Sequence, residues 1–401
     1  MLKIPFSPPY IDDEAIKEVT EVLKSGWITT GPKNKEFEEL LTEFVGVDNI
    51  LCINAATSGL ELALRWYGVS EGDEVILPAY TYGATANVIE HVGAKAVFVD
   101  SGNDFNISVD AIKKAITPNT KVIMPVDIGG LPANYDEIMS LVGDSAIKSM
   151  FNPNSYNQQK LGRIMVLSDA AHSLGAMYNG KMVGSIADLT VFSFHAVKNL
   201  TTAEGGAMVF NLPKPFDNGE LYRFMKVFSL HGQSKDAFSK TKAKGWEYDI
   251  LMPGYKANMP DVLAAVGLSQ MRKYSKILAR RKAIFDFYKS ELSKYDYFQL
   301  PVYEDEKRTS SYHVFLLRIS ESDAAKRDAI IQGMYDNGVA VNIHFKPIPM
   351  MSYYKNKGYN INDYPVAYEN YIKEISLPVY YDLSESDMQL VVDTLKSVCE
   401  L

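Results

Sequence analysis

Cysteine is nearly absent: Cys52 and Cys399 are the only two in 401 residues. They lie far apart and outside any metal-ligand spacing, which excludes a disulfide framework or a cysteine zinc site and suits a reducing cytoplasm. The six histidines show no HxxxH pattern, so no metal site is expected. Basic charge is also short. Lys and Arg total 41 against 49 Asp and Glu, for a net charge of −8, so neither a nucleic acid nor an anionic membrane has an electrostatic footprint to bind, and any phosphate must be gripped locally. No apolar run is long enough to span a bilayer. The opening MLKIPFSPPYIDDEA is broken by prolines and acids, so it reads as an extended arm and not as a signal peptide. There is no GxGxxG loop, no internal repeat and no low-complexity tract.

What the chain does have is alternation. An amphipathic helix from Asp12 to Ser25 is followed by helix Lys35–Phe44, strand Asn49–Asn54, helix Ser58–Tyr67, strand Glu74–Leu77, helix Ala84–Val92, strand Ala96–Val99, helix Val109–Ala115 and strand Thr120–Pro125. Strands separated by helical crossovers predict an α/β unit with a mostly parallel sheet. Ile164–Asp169 and Asp188–Phe194 read as further buried strands. Between them and the preceding helix lies Gly143–Gly162, rich in Asn, Gln and Ser, which reads as an insertion that covers the site or, the favoured reading, dresses the surface. A long helix over Met259–Tyr297, straight or kinked, is expected to link the large domain to a smaller α+β unit, with strands near His313–Ile319 and Val339–Val341 and helices near Ala324–Asn337 and Glu385–Val398. The division is thus 1–258, arm and large domain, and 259–401, linking helix and small domain.

Lys198 is the most informative residue. It follows strand Asp188–Phe194 in a turn that leads to Glu204-Gly205-Gly206, and Asp169 ends the preceding strand. Ligands of open α/β sheets sit at the carboxyl ends of strands, so the amine and the carboxylate are delivered to one edge. That pairing suits pyridoxal phosphate (PLP): the amine forms a Schiff base and the acid keeps the pyridine nitrogen protonated. A lone lysine is ordinarily a solvated surface residue, and it is the company of Asp169 that argues otherwise. Asn54-Ala55-Ala56-Thr57-Ser58-Gly59 joins a strand to a helix and supplies small residues and hydroxyls for a phosphate, or only an N-cap. Ser193 is a second phosphate donor. Tyr80-Thr81-Tyr82 follows a strand end, where a ring could cover a planar cofactor. His172, three residues after Asp169, reaches the cofactor's phenolic oxygen, orients the acid, or is structural.

Five separated segments, SDAAHSLGA, FSFHAVKNLTTAEGGAM, GDEVILPAYTYGATANVI, GWITTGP and PGYKANMPDVLAAVGL, together resemble the DegT/DnrJ/EryC1/StrS sugar aminotransferases. The resemblance implies a PLP fold-type I, aspartate aminotransferase-like large domain and a homodimer with shared sites. It implies action on a nucleotide-linked keto-sugar with glutamate as amino donor. By the same resemblance Lys198 is the Schiff-base lysine, Asp169 the pyridine-nitrogen partner and His172 the neighbour of the phenolic oxygen. Ala56, Thr57, Ser58 and Ser193 hold the phosphate and Tyr82 stacks on the ring. Lys256 or Asn258 reaches the partner subunit's phosphate, and Thr30 and His344 contact substrate.

Three positions depart from the family. Gly254-Tyr255-Lys256-Ala257-Asn258-Met259 replaces GxNYRM and is similar to a branch that makes 4-amino-4-deoxy-arabinose, which points to a 4-keto sugar. Pro349 replaces the second histidine of HxxPxH, and Asp127 stands where histidine is frequent. A lysine at 198 favours transamination over the family's dehydrases, in which histidine stands there. A dehydrase and a silent sugar-nucleotide-binding relative remain as alternatives.

Overall fold

A computed structural model describes residues 2–235 and 247–401. Among the described residues nine strands precede the C-terminal unit: β1 Ile50–Ile53, β2 Glu74–Pro78, β3 Lys95–Val99, β4 Thr120–Ile123, β5 Met165–Asp169, β6 Met177–Tyr178, β7 Lys181–Met182, β8 Leu189–Ser193 and β9 Gly206–Phe210. Seven of them form one sheet in the order β1-β9-β8-β5-β4-β2-β3. All are parallel except β9, which runs against both β1 and β8. The mostly parallel sheet expected from the alternation is therefore present. Its central strands are covered on both faces, and they read as continuous Val, Ile, Leu and Met for that reason.

Four more strands follow: β10 Phe298–Gln299, β11 Arg308–Thr309, β12 Phe315–Ile319 and β13 Glu374–Leu377. β12 lies between β10 and β13 in an antiparallel sheet, and β11 joins the β6–β7 hairpin. A separate apolar core under the β12 sheet contains Phe285, Tyr288, Phe315, Leu317, Val391 and Leu395. Ile4 of the N-terminal arm belongs to this core and pairs with Val339, so the arm is fastened to the C-terminal unit.

Three expectations are corrected. The helix predicted over Met259–Tyr297 is two helices, Asp261–Met271 and Tyr274–Leu292, because Lys273 leaves helical geometry. The break lets the first pack on helices Asp13–Ser25 and Pro32–Val45 while the second crosses to the C-terminal core. Val339–Val341 is not a strand; Val339 makes only the isolated bridge to Ile4. The stretch 143–162 is not a loop but two short helices, Ser145–Met150 and Tyr156–Leu161, capped by Asp144 and Ser155. Its amides are spent at the far end of helix Ala56–Tyr67: Asn157 Nδ2 donates to Trp66 O and Gln158 Nε2 to Tyr67 O.

Candidate active site

The parallel sheet brings the ends of β5 and β8 to one edge, and helix Ala56–Tyr67 starts there. Two glycines let it come close. A Cβ on Gly59 would stand 2.5 Å from Ile53 Cδ1, and one on Gly206 would stand 2.7 Å from Ala56 N and Phe192 O. The N-cap is Ala55, which has no side chain able to cap, so Thr57 and Ser58 lie inside the first turn and do not serve as N-caps. First-turn N–H groups have no partner within the helix, which suits a helix start to an anion, and Ala56 and Thr57 of this terminus line a cavity. That cavity, of about 600 Å³, opens at this edge. Ala56, Thr57, Tyr82, Asp169, His172, Ser193 and Lys198 all line it.

Asp169 is 5 % exposed. Thr85 donates to its Oδ2 at 2.8 Å and Ala171 N–H to its Oδ1 at 3.3 Å, and Thr81 backs Thr85 at 2.9 Å. Its hydrogen-bond partners are thus neutral, and burial pushes its pKa up against them and against the pull of Lys198. His172 was expected to orient this acid or meet the cofactor; Thr85, missed in the sequence, does the orienting. His172 Nδ1 accepts Gly129 N–H at 3.3 Å. Burial holds the ring neutral, so Nε2 carries its hydrogen.

Lys198 sits in the turn between β8 and β9, which Phe194 N–H to Gly205 O and Thr202 N–H to Phe194 O close at 2.9 Å each. Its neighbour Asn199 is pinned by donation to Ser311 O at 2.7 Å and by the His313 Nδ1 contact at 2.9 Å. Among the described residues Lys198 Nζ has no hydrogen-bond partner, and burial pulls its pKa down to about 8 although Asp169 raises it.

The opposite wall comes from the C-terminal unit: His313, Asn342, Ile343, His344 and Phe345. Phe345 packs on Tyr82 at 5.8 Å and on His172 at 5.7 Å between ring centres. Arg281 donates to Tyr312 O and His313 O at 2.9 and 2.6 Å, so the linking helix holds His313 in place. His313, Phe345 and Thr85 had no local signal; a histidine opening a strand and a threonine in a helix are ordinary.

Other expected site residues are not at this cavity in their own chain. Thr30 donates to Met259 O and accepts from Asn258 Nδ2, both at 2.6 Å, and Lys256 Nζ reaches Asn258 Oδ1 at 2.5 Å. Thr30 therefore contacts backbone and Asn258 and does not line this cavity, because its hydroxyl ties GWITTGP to the GYKAN segment. Asp261 tightens that tie by accepting the N–H groups of Gly31, Lys33 and Asn34. Ser58 also lies off the cavity wall. Asp127 is buried, accepting from Ser173 Oγ, Tyr135 Oη and Ala133 N–H at 2.6, 2.8 and 2.9 Å, with its pKa pushed up by burial to about 6. This departure adds no carboxylate to the cavity. Pro349 is buried in the turn Ile348–Met350.

PLP fits this donor set: an unpaired amine, a buried acid with only neutral hydrogen-bond partners for a ring nitrogen, a histidine N–H for a phenolic oxygen, and an uncapped helix start with Ser193 for a phosphate. Comparisons with known proteins agree. The chain is 43% identical to a Streptococcus pneumoniae protein described as a sugar aminotransferase and solved in its PMP form, with a TM-score of 0.95 and 99% of both chains covered. Structures of that protein in its PLP and apo forms match with a TM-score of 0.94 each. PseC of Helicobacter pylori, an aminotransferase of pseudoaminic acid biosynthesis, matches at 30% identity and TM-score 0.86 over 99% of each chain. The spore coat polysaccharide biosynthesis protein SpsC of Bacillus subtilis is 35% identical over 98% of this chain and 97% of its own. The model of the DegT/DnrJ/EryC1/StrS aminotransferase family matches residues 9–151 and 157–396, leaving a gap inside the inserted helical pair. The chain therefore belongs to the DegT/DnrJ/EryC1/StrS aminotransferase family, and its cofactor is PLP.

Proposed function

We propose that this chain transfers an amino group from glutamate to the ketone of a nucleotide-linked deoxysugar, with the 4-keto sugar as the favoured substrate, in cytoplasmic amino sugar and polysaccharide biosynthesis. The observation that carries the reading is the unpartnered Lys198 amine sharing one cavity with the buried Asp169. The relatives named for polysaccharide and pseudoaminic acid biosynthesis support the sugar, and the family resemblance supports glutamate and the nucleotide. Among the described residues no helix is long and apolar enough to cross a membrane.

PLP, when bound, supplies an electron sink for the carbon beside the transferred nitrogen. Lys198 anchors it and then acts as the base that takes the Cα proton of the donor. Asp169 would keep the ring nitrogen protonated, with Thr85 fixing its carboxylate. His172 Nε2–H would be the donor to the cofactor's phenolic oxygen. The first-turn N–H groups of Ala56 and Thr57, with Ser193, would hold the phosphate, and Tyr82 would cover the ring. Sequential incubation of the pyridoxamine phosphate form with a panel of nucleotide-linked 3-keto and 4-keto sugars should give an aminated product by mass and NMR from a 4-keto member. No amination of any member would sink the reading.

A pH test follows from the amine. PLP uptake by the apo-protein should quicken as pH rises through about 8, as the neutral fraction of Lys198 grows. Stopped-flow absorbance over pH 6–10 measures it; a midpoint near the ordinary lysine value would show a solvated amine.

The working unit is a homodimer in which Lys256 or Asn258 reaches the partner's phosphate, a reading supported by their position off their own cavity. Refolding inactive Lys198→Ala together with an inactive Lys256→Ala, Asn258→Ala double variant should restore some activity, because a two-fold interface gives the mixed dimer one intact site. Confirmed heterodimers with no activity would show that the segment acts within its own subunit.

A further inference from the structure

Four histidines line the cavity, His172, His195, His313 and His344; His195 is exposed beside Glu204, and two of the other three have their tautomer fixed by a group that hydrogen-bonds in one direction only. His172 Nδ1 accepts an amide N–H. His313 Nδ1 faces Asn199 Oδ1, whose amide nitrogen is already committed to Ser311 O, so this Nδ1 must carry hydrogen. His344 differs. Its Nδ1 lies 2.8 Å from Ser376 Oγ, a hydroxyl that can donate or accept. Ser376 Oγ is in turn 2.5 Å from Glu374 Oε1, and Glu374 Oε2 accepts the backbone N–H of His344 at 2.9 Å. Glu374 and Ser376 are two apart on β13, so both point to one face, and both are fully buried. Backbone pairing of Asn342 with Ser376 holds the register.

We propose that Glu374 and Ser376 are positioning residues for the reaction, forming a proton relay that decides whether His344 Nε2 offers the cavity a hydrogen or a lone pair. The inference rests on the reading that His344 contacts substrate. With Glu374 protonated, its O–H donates to Ser376, Ser376 donates to His344 Nδ1, and Nε2 carries the ring hydrogen into the cavity. When the relay loses one proton, the Nε2 hydrogen leaves through the cavity, the Ser376 hydrogen passes to Nδ1, and the Glu374 hydrogen passes to Ser376. Ser376 then donates back to the carboxylate, and Nε2 is a bare acceptor. Three hydrogens become two, and the one lost goes to water.

Burial pushes the Glu374 pKa up to about 8, against Ser376, the His344 N–H and the Arg327 charge. The charged and titratable groups around the relay are Arg327 of helix Ala324–Asp336, Arg318 on β12 across the sheet from Glu374, the buried Tyr80 phenol, His172, His313 and Lys198. Arg327 donates to Tyr371 O and Glu374 O and pairs with Asp328, so it makes no hydrogen bond to the Glu374 carboxylate. Below pH 8 the wall thus offers a donor, suited to a ketone or hydroxyl oxygen of the sugar, and above it an acceptor.

The test is nitrogen NMR of the holoenzyme labelled with 15N-histidine, with the His344 signals assigned by their loss in His344→Gln. The hydrogen should sit on Nε2 at pH 6.5 and on Nδ1 at pH 9.5. Glu374→Gln, neutral at every pH, should keep it on Nε2 throughout, and Ser376→Ala should abolish the change although Glu374 is intact. In parallel, kcat/KM for the keto-sugar should fall about tenfold across pH 8 in the wild type, as for one lost hydrogen bond, and this fall should vanish in Glu374→Gln. PLP content and near-UV circular dichroism establish that each variant is folded. A tautomer that does not change with pH in the wild type, or a change that survives in Glu374→Gln, overturns the relay. The NMR arm needs no sugar, so an unchanged keto-sugar KM in His344→Ala would remove the substrate role of His344 while leaving the relay to be judged by itself.

Discussion

Lys198→Ala is expected to leave a folded protein that binds PLP without a covalent link and turns over at least roughly 10⁴-fold more slowly. The loss is large because one side chain has two tasks. Removing a positioned general base costs roughly 10²–10⁴-fold, and the covalent anchor disappears with it. Borohydride reduction and peptide mapping of the wild type should place the pyridoxyl group on Lys198, and the variant should carry none. Stability should not suffer. Among the described residues the amine, which lines the cavity, makes no hydrogen bond, and its desolvation outweighs the attraction of Asp169, so its removal relieves more than it gives up. A urea midpoint equal to or above that of the wild-type apo-protein would agree. A pyridoxyl group on another lysine, or near-normal turnover of the variant, would overturn the assignment.

Asp169→Asn should reduce kcat by roughly 10²-fold or more, equivalent to about 2.7 kcal/mol or more of transition-state stabilisation. The amide oxygen can still accept from Thr85 Oγ1, which now meets Asp169 Oδ2 at 2.8 Å, so the fold and the cavity should persist. What goes is the negative charge that keeps the ring nitrogen protonated. Stability gives a second readout with a defined sign. The Asp169 pKa is raised in the folded state, so its contribution is fully present below the ordinary carboxylate range and is lost as pH rises through the folded value. Apo Asp169→Asn lacks this loss, and its advantage over the wild-type apo-protein should therefore grow from acid to neutral pH. Urea denaturation at pH 4 and pH 7 measures it. An Asn variant with near-normal turnover would refute the charge's role.

The sequence by itself determined the α/β class, the strand-end placement of Asp169 and Lys198, and the family, because each rests on short stretches. A buried strand is a run of apolar residues, its end is a polar residue, and the fingerprint segments are contiguous. What only the tertiary structure decided depends on residues distant in the chain. Thr85 grips Asp169 from 84 positions away, and no periodicity links a threonine in one helix to an acid on another strand. His313 and Phe345 complete the cavity because β12, β13 and the linking helix fold the C-terminal unit back over the sheet edge. The four-residue β13 is too short to stand out between helices, yet it carries Glu374 and Ser376. The helix break at Lys273 likewise has no breaker residue to announce it; beyond it Tyr274 and Ile277 still pack with Leu268 and Met271, and the second helix then runs on into the C-terminal core at Ile284, Phe285 and Tyr288. Thr57 and Ser58 looked able to cap their helix, but the chain enters through Ala55. Local chemistry fixes which groups are available, whereas packing among distant segments fixes which of them meet.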